Sequence, residues 1–231
     1  MRQLFLDTET TGLEPQQGHR IIEVAAVEYI NRQPSGKEFH SYINPQREVG
    51  IESYRIHGLD SDFLREHPLF SEIVESLLDF VRDAQVIIHN APFDLGFINA
   101  EIERCNQSRK TPLPDFHQLC RIEDSLQTAR DKYGGRNDLD SLCERLNIEN
   151  SNRALHGALV DANLLARVYI AMTSSQGSLD LTFAAGHSDR NRFDKQDLSF
   201  LQLVMASDEE QAAHDNYMQK IYRRGEAQNG G

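Results

Sequence analysis

The sequence predicts an α/β domain built on a mixed β-sheet, and three observations carry that reading. The first apolar segments are joined by short loops, which predicts an antiparallel meander of strands. The later segments alternate helical spacing with a short apolar run, the order that mixed α/β domains show. The chain has 231 residues, 39% of them hydrophobic, enough for one good-sized core with an appendage.

Residues 2–7 read as a buried strand through Leu4-Phe5-Leu6, and Asp7-Thr8-Glu9 lead into a turn at Thr10-Thr11-Gly12. Ile21 to Tyr29 reads as a second strand, with Ile22, Val24, Ala26 and Glu28 on one face and Ile21, Glu23, Ala25 and Val27 on the other. Phe39 to Ile43 is a third. Pro68 to Val81 carries helical spacing at Phe70, Ile73, Val74, Leu77, Leu78 and Val81. Val86-Ile87-Ile88 is a short buried strand that runs through His89-Asn90 into a helix ending near Arg104, with Pro92 in its first turn, where a missing donor costs nothing. Further helices are expected at 122–133, 138–146 and 157–172, with Gly134-Gly135 as the stop between the first two.

The domain is expected to span residues 1–173. Residues 174–197 are poor in core residues and read as a linker. Residues 198–231 form a tail: a strand-like run from Leu198 to Met205, capping-box spacing at Ser207-Asp208-Glu209-Glu210, then Ala213, Tyr217 and Ile221 on one helical face. One strand and one helix cannot bury enough surface to fold alone, so the tail is expected to be a flexible segment that docks on a partner.

Charge narrows the function. With 24 basic against 36 acidic residues the net charge is -12, and such a chain binds long nucleic acid poorly through bulk electrostatics. A nucleic-acid substrate would need metal ions, a local basic patch or a partner. Cys105, Cys120 and Cys143 form no CxxC pair and read as reduced thiols of a cytoplasmic protein. No basic-then-apolar leader precedes the first strand, and no apolar run reaches the length of a bilayer span.

The chemistry begins with Asp7 and Glu9. Alternate strand residues share a face, so the two carboxylates aim at one point, an arrangement that calls for a divalent cation. Asp94 follows His89-Asn90 at a strand-to-helix junction; taken alone it is an ordinary early-helix acid favoured by the dipole. Asp161 lies among Val160, Ala162, Leu164 and Leu165, and a carboxylate on a core face needs a partner, whether a salt bridge or a metal. His156 alone reads more often as a capped or core histidine than as a functional one. Together the odds shift, because two like charges about 4 Å apart repel by about 4 kcal/mol at an effective dielectric of about 20. All-oxygen ligation suits two hard cations, Mg²⁺ or Mn²⁺, better than zinc. His156 and Asp161 are five residues apart, off register for one helix face, so His156 is expected in the loop or first turn.

These residues carry a resemblance. Asp7-Thr8-Glu9-Thr10-Thr11-Gly12, His89-Asn90 through Asp94, and His156 through Asp161 resemble the three motifs of the DnaQ-like DEDD exonuclease superfamily, histidine subclass. The likeness extends to Ile22-Glu23-Val24, to Val49 through Leu59 with Ile56-His57-Gly58, and to the region around Ala206-Ser207-Asp208-Glu209-Glu210, which resemble the epsilon proofreading family of bacterial DNA polymerase III. The resemblance implies a ribonuclease H-like fold and removal of nucleoside 5′-monophosphates from DNA 3′ ends. It implies that Asp7, Glu9, Asp94 and Asp161 hold two divalent cations and that His156 is the general base. It implies that Thr10, Gly12, Leu13, Ile56, His57, Asn90 and Phe93 contact or support the terminal nucleotide. For His57 the plain alternative is a turn histidine before Gly58.

The resemblance also implies partners: a frayed or single-stranded DNA 3′ end, the polymerase III alpha (catalytic) subunit, a sliding clamp and a small theta-like subunit. Gln176, Leu179, Leu181 and Phe183 are similar to a clamp-binding motif, with one extra residue before the aromatic. The alternative there is a linker with incidental apolar residues. Two other functions fit the same residues: a stand-alone RNA or DNA exonuclease of the superfamily, and an interaction module that kept the fold without the catalysis. The tail argues against the first and the filled motif positions against the second. A phosphatase-like metal hydrolase is disfavoured by the lack of a phosphate-cradling glycine loop.

Overall fold

The structure, a computed structural model, describes residues 1–150 and 156–174. Five strands form one sheet in the order β3-β2-β1-β4-β5. Strands β1 (Arg2–Thr10), β2 (Ile21–Ile30) and β3 (Gln33–Tyr42) make the expected antiparallel meander. Strands β4 (Gln85–Ile88) and β5 (Arg121–Asp124) extend it parallel to β1. The helices are α1 (Ile51–His57), α2 (Ser61–Arg65), α3 (Phe70–Val81), α4 (Ala91–Asn106), α5 (Phe116–Leu119), α6 (Ser125–Lys132), α7 (Leu139–Leu146) and α8 (Ala158–Thr173).

Strand alternation divides the core into two layers. Leu4, Leu6, Val24, Ala26, Val86 and Ile88 pack with α3 and α4, whose Val74, Leu77, Phe97 and Ile98 face them. Phe5, Ala25, Val27 and Ile87 pack with α7 and α8, against Leu142, Ala162, Leu165 and Tyr169. Phe5 meets Tyr29 edge-on at 5.1 Å and Tyr169 at 5.7 Å, which locks α8 across the middle of the sheet. A buried polar ladder holds the parallel half: Gln3 Nε2 donates to Gln85 Oε1 at 3.1 Å, Gln85 Nε2 to Glu123, and the Tyr169 hydroxyl to Glu123 Oε1 at 2.5 Å.

Local rules explain several helix starts. Asp124 caps α6 through Leu126 N and Asp138 caps α7 through Ser141 N, while Asn90 holds the N-cap position of α4 in a left-handed conformation without a side-chain capping bond, with Pro92 in the first turn. Four expectations need correcting. The expected helix at 122–133 begins as β5, and only Ser125–Lys132 is helical, because β5 is chosen by pairing with β4 at the sheet edge. Three short helices, α1, α2 and α5, were not expected. β3 starts six residues earlier than expected. Ile21 lies in the layer of Val24 and Ala26, not that of Ala25, because a bulge between Glu9 and Thr10 shifts the register there.

Candidate active site

The site is built at the end of β1. Asp7 and Glu9 lie on the face that carries α8, as Phe5 does two residues earlier. Glu9 pairs across the ladder with Glu23 of β2. Asp161 occupies the first turn of α8 and is buried, while His156 sits just before the Gly157 N-cap with its side chain 44% exposed. Glu9, His156 and Asp161 each offer a ligand atom within 4.8 Å of the others. His156 Nδ1 lies 3.3 Å from Asp161 Oδ2, which orients the ring. His156 is thus in the loop entering the helix, the position its spacing predicts.

Asp94 comes from the other layer. It is buried in the first turn of α4, and its Oδ1 accepts a 2.7 Å hydrogen bond from the Thr8 hydroxyl. Thr8 points to the α4 face because it alternates with Asp7 and Glu9. Burial pushes the Asp94 carboxyl up to about 7, against the Thr8 bond that opposes it, with Asp124 adding repulsion. The site is therefore two-sided: Glu9, His156 and Asp161 converge on the α8 face, Asp7 shares that face, and Asp94 reaches the strand end from the α4 face.

Two residues unremarked as site residues in the sequence hold this geometry. Thr8 is the first, a hydroxyl placed between two acids. Glu23 is the second: buried, its Oε2 accepts from Ala158 N at 3.1 Å and its Oε1 lies 2.8 Å from His40 Nε2. A carboxylate at the first amide of α8 anchors the end of the helix that carries Asp161. The signals for Glu23 were the alternating strand and the family likeness of Ile22-Glu23-Val24, and neither named its partner amide, 135 residues away.

Beside the acids, a cavity of about 560 Å³ is lined by Thr11, Gly12, Leu13, His19, Ile51 and Ile56, among others. Leu13, Ile51 and Ile56 are exposed apolar side chains at its mouth. Thr10 Oγ1 donates to the Gly12 carbonyl at 2.6 Å, folding the turn. Gly12 lies close against its neighbour: a Cβ there would stand 2.3 Å from the His19 ring, the far end of a half-buried side chain, which itself lies 3.1 Å from Thr11 Oγ1. His57 is buried behind Ile56, and its Nδ1 accepts from Leu59 N at 3.0 Å. Burial, and then His156, push its pKa down to about 4, so the ring is neutral. The His156 amide donates to the Ile56 carbonyl at 3.0 Å, tying cavity to acids. Phe93 packs on Phe97 at 5.1 Å, and the Asn90 amide donates to Asp124 Oδ1 at 3.1 Å. Gln176, Leu179, Leu181, Phe183 and the 198–231 tail lie outside the described residues.

The donor set fits hard divalent cations. Carboxylates dominate it, and the His156 imidazole is the other donor type among the described residues. A buried acid such as Asp94 gains from a cation, because burial disfavours its charged form.

Three comparisons bear on this geometry. A family model described as exonuclease matches residues 4–169. The chain is 42% identical over 236 residues to the DNA polymerase III subunit epsilon of Salmonella typhimurium, covering 97% of this chain and 95% of that one. It is 49% identical over 179 residues to the protein of the same name from Rickettsia typhi, covering 77% and 76%. Among solved structures it resembles exonuclease X in complex with 5′ overhanging duplex DNA, with a TM-score of 0.58 at 19% identity, over 76% of this chain and 93% of that one. That likeness shows a shared ribonuclease H-like exonuclease fold.

Proposed function

Since the chain belongs to the exonuclease family, and within it to the epsilon subunits of DNA polymerase III, we propose that the residues at the end of β1 are its catalytic centre. The chain is a 3′–5′ exonuclease of the proofreading type. The observation that supports this placement most is the convergence of Glu9, His156 and Asp161 within 4.8 Å at the strand end where Asp7 and Asp94 also lie.

Asp7, Glu9, Asp94 and Asp161 would hold two divalent cations, Mg²⁺ or Mn²⁺, which supply a water of lowered pKa and neutralise charge that develops on the phosphate oxygens. The side chains do the rest. Asp161 orients the His156 imidazole, and His156 takes the proton from the attacking water. Its exposure lets it meet a substrate without unfolding the loop. Thr8 fixes the Asp94 rotamer, and Glu23 fixes the end of α8. The terminal nucleotide enters the cavity beside the acids, its base against Leu13 and Ile56 and its sugar near the Thr10–Gly12 turn, with neutral His57 buried next to Ile56 in the chain as support for that wall. Asn90 and Phe93 brace the first turn of α4. A duplex end must fray to enter, which gives a single-strand preference.

The division of the chain follows the same reading: an exonuclease domain over 1–173, a linker with a clamp-binding motif at Gln176, Leu179, Leu181 and Phe183, and a tail over 198–231 that binds the alpha subunit. The acidic net charge supports it, because the polymerase and the clamp grip the duplex. A small theta-like subunit completes the assembly, which works in the bacterial cytoplasm. Among the described residues no helix is long and apolar enough to cross a membrane.

The test is release of nucleoside 5′-monophosphates from a 3′-labelled single strand. His156→Ala is expected to keep the fold and lose about 10²–10⁴-fold in kcat, the range for a general base. Near-normal turnover of the variant with Mg²⁺ present would refute the assignment of His156.

A further inference from the structure

An acidic nuclease needs a cationic hold on its strand close to the site, and one place in the fold offers it. A cavity of about 520 Å³ lies beyond the ends of β4 and β5, with His89, Asn90, Arg130, Arg136 and Asn137 in its lining. The chain ties it to the catalytic centre. Ile88 pairs with Leu6, so His89 and Asn90 leave the sheet beside the point where Asp7 follows Leu6. Asn90 is also the N-cap of the helix that carries Asp94. Ligands of open α/β sheets bind at these carboxyl ends of strands.

The cationic rim is held in place from below. Arg145 of α7 donates to Asn137 Oδ1 at 2.8 Å and to the Gly134 and Arg136 carbonyls at 3.1 and 3.3 Å, and its guanidinium lies 4.9 Å from the Tyr133 ring. Asn137, buried, donates to the Tyr133 and Gly135 carbonyls. The 133–138 loop is thus fixed by its own side chains, while Arg136 stands 86% exposed at its edge. Arg130, also exposed, comes from the last turn of α6. Arg136 meets Asp138 at 3.1 Å, a surface pair that costs little to open. Two guanidiniums against one carboxylate make this lining cationic in a chain of net charge -12. His89 lies with its Nδ1 2.9 Å from Ser125 Oγ and adds a polar wall.

We propose that this cavity is an anion subsite for an upstream phosphodiester of the strand whose 3′ end occupies the catalytic centre, with Arg130 and Arg136 as its donors. This rests on the nuclease reading above. Planar guanidiniums, Arg136 on the fixed loop and Arg130 at the end of α6, suit phosphate oxygens, and a subsite for an upstream phosphodiester acts only on a substrate longer than one nucleotide.

The experiment compares two substrates, the p-nitrophenyl ester of thymidine 5′-monophosphate and a short single-stranded oligothymidylate, for the full chain and for Arg130→Gln/Arg136→Gln. The ratio of kcat/KM on the oligomer to that on the ester is expected to fall about tenfold or more in the variant, tenfold being the size of one lost charge-assisted hydrogen bond of the two removed. The dependence of log KM on log salt for the oligomer is expected to flatten by about 0.7 per arginine removed. Arg136→Lys in the Arg130 background should keep the salt slope, since it keeps the charge. A variant whose ratio and salt slope match the wild type overturns the subsite and leaves the nuclease reading standing. Equal loss on both substrates overturns it too, because a phosphate subsite cannot act on the ester. Failure of the wild-type chain to cleave either substrate overturns both readings.

Discussion

Asp94→Asn should stabilise the metal-free protein while disabling it. The carboxyl ionises at 3.8 in an open chain and, pushed up by burial, at about 7 in the fold. An acid whose folded value is the higher one binds its proton more tightly when folded, so stability is fully present below about pH 4 and is lost as pH rises through about 7. Above both values the ionised, buried carboxylate lowers folding stability by about 4 kcal/mol, an order-of-magnitude figure from the two ionisation points. Asparagine has the same shape, keeps an acceptor for the Thr8 hydroxyl and never ionises. Urea denaturation in EDTA is therefore expected to show the variant more stable by up to about 4 kcal/mol near pH 8, with the gap closing near pH 4. Adding Mg²⁺ or Mn²⁺ should stabilise the wild type more than the variant and narrow the gap, while nuclease activity of the variant falls by about a hundredfold or more. If the variant is less stable in EDTA near pH 8, or the gap does not change with pH, the placement of Asp94 as a buried carboxylate awaiting a cation is wrong.

Gly12→Ala places a methyl group 2.3 Å from the His19 ring, which is expected to swing off Thr11 at a cost of no more than about 1 kcal/mol and to raise KM; an unchanged KM would show that the ring's position does not shape the cavity. Glu23→Ala leaves the Ala158 amide and His40 without their acceptor, with an expected loss of about 1–3 kcal/mol and a weaker Mn²⁺ affinity by titration calorimetry, and Glu23→Gln should recover most of the stability. Unaltered Mn²⁺ affinity in Glu23→Ala would show that the end of α8 is held by other contacts. Removal of residues 190–231 is expected to leave nuclease activity intact and abolish co-purification with the alpha subunit; retained co-purification would refute the tail assignment.

The sequence was most legible where one period dominated. The 3.6-residue spacing of Phe70, Val74, Leu77, Leu78 and Val81 set α3 to within two residues, and the alternation in β1 placed Asp7 and Glu9 on a shared face. Strand β5 was not legible, because Arg121-Ile122-Glu123-Asp124 is half acidic and becomes a strand through its pairing with β4 and the Gln85–Glu123–Tyr169 contacts. Helices α1 and α2 are too short to show an apolar stripe, and α1 buries only His57. In the site, residue types were legible and layers were not. Nothing local told that Asp94 answers to Thr8, or that Glu23 reaches an amide 135 residues on; both contacts depend on which side of a finished sheet each helix occupies.

The alternation of Asp7, Thr8 and Glu9 also sets what sequence drift can do here. A single inserted or deleted residue between Phe5 and Asp7 would turn both acids toward α4 and Thr8 toward α8, exchanging every side chain at the strand end at once. No compensating substitution at one position repairs such an exchange. Length changes among descendants of this chain should therefore be absent from β1 and tolerated in the exposed 13–18 turn that follows it, so the spacing of this segment is under stricter constraint than most of its individual letters.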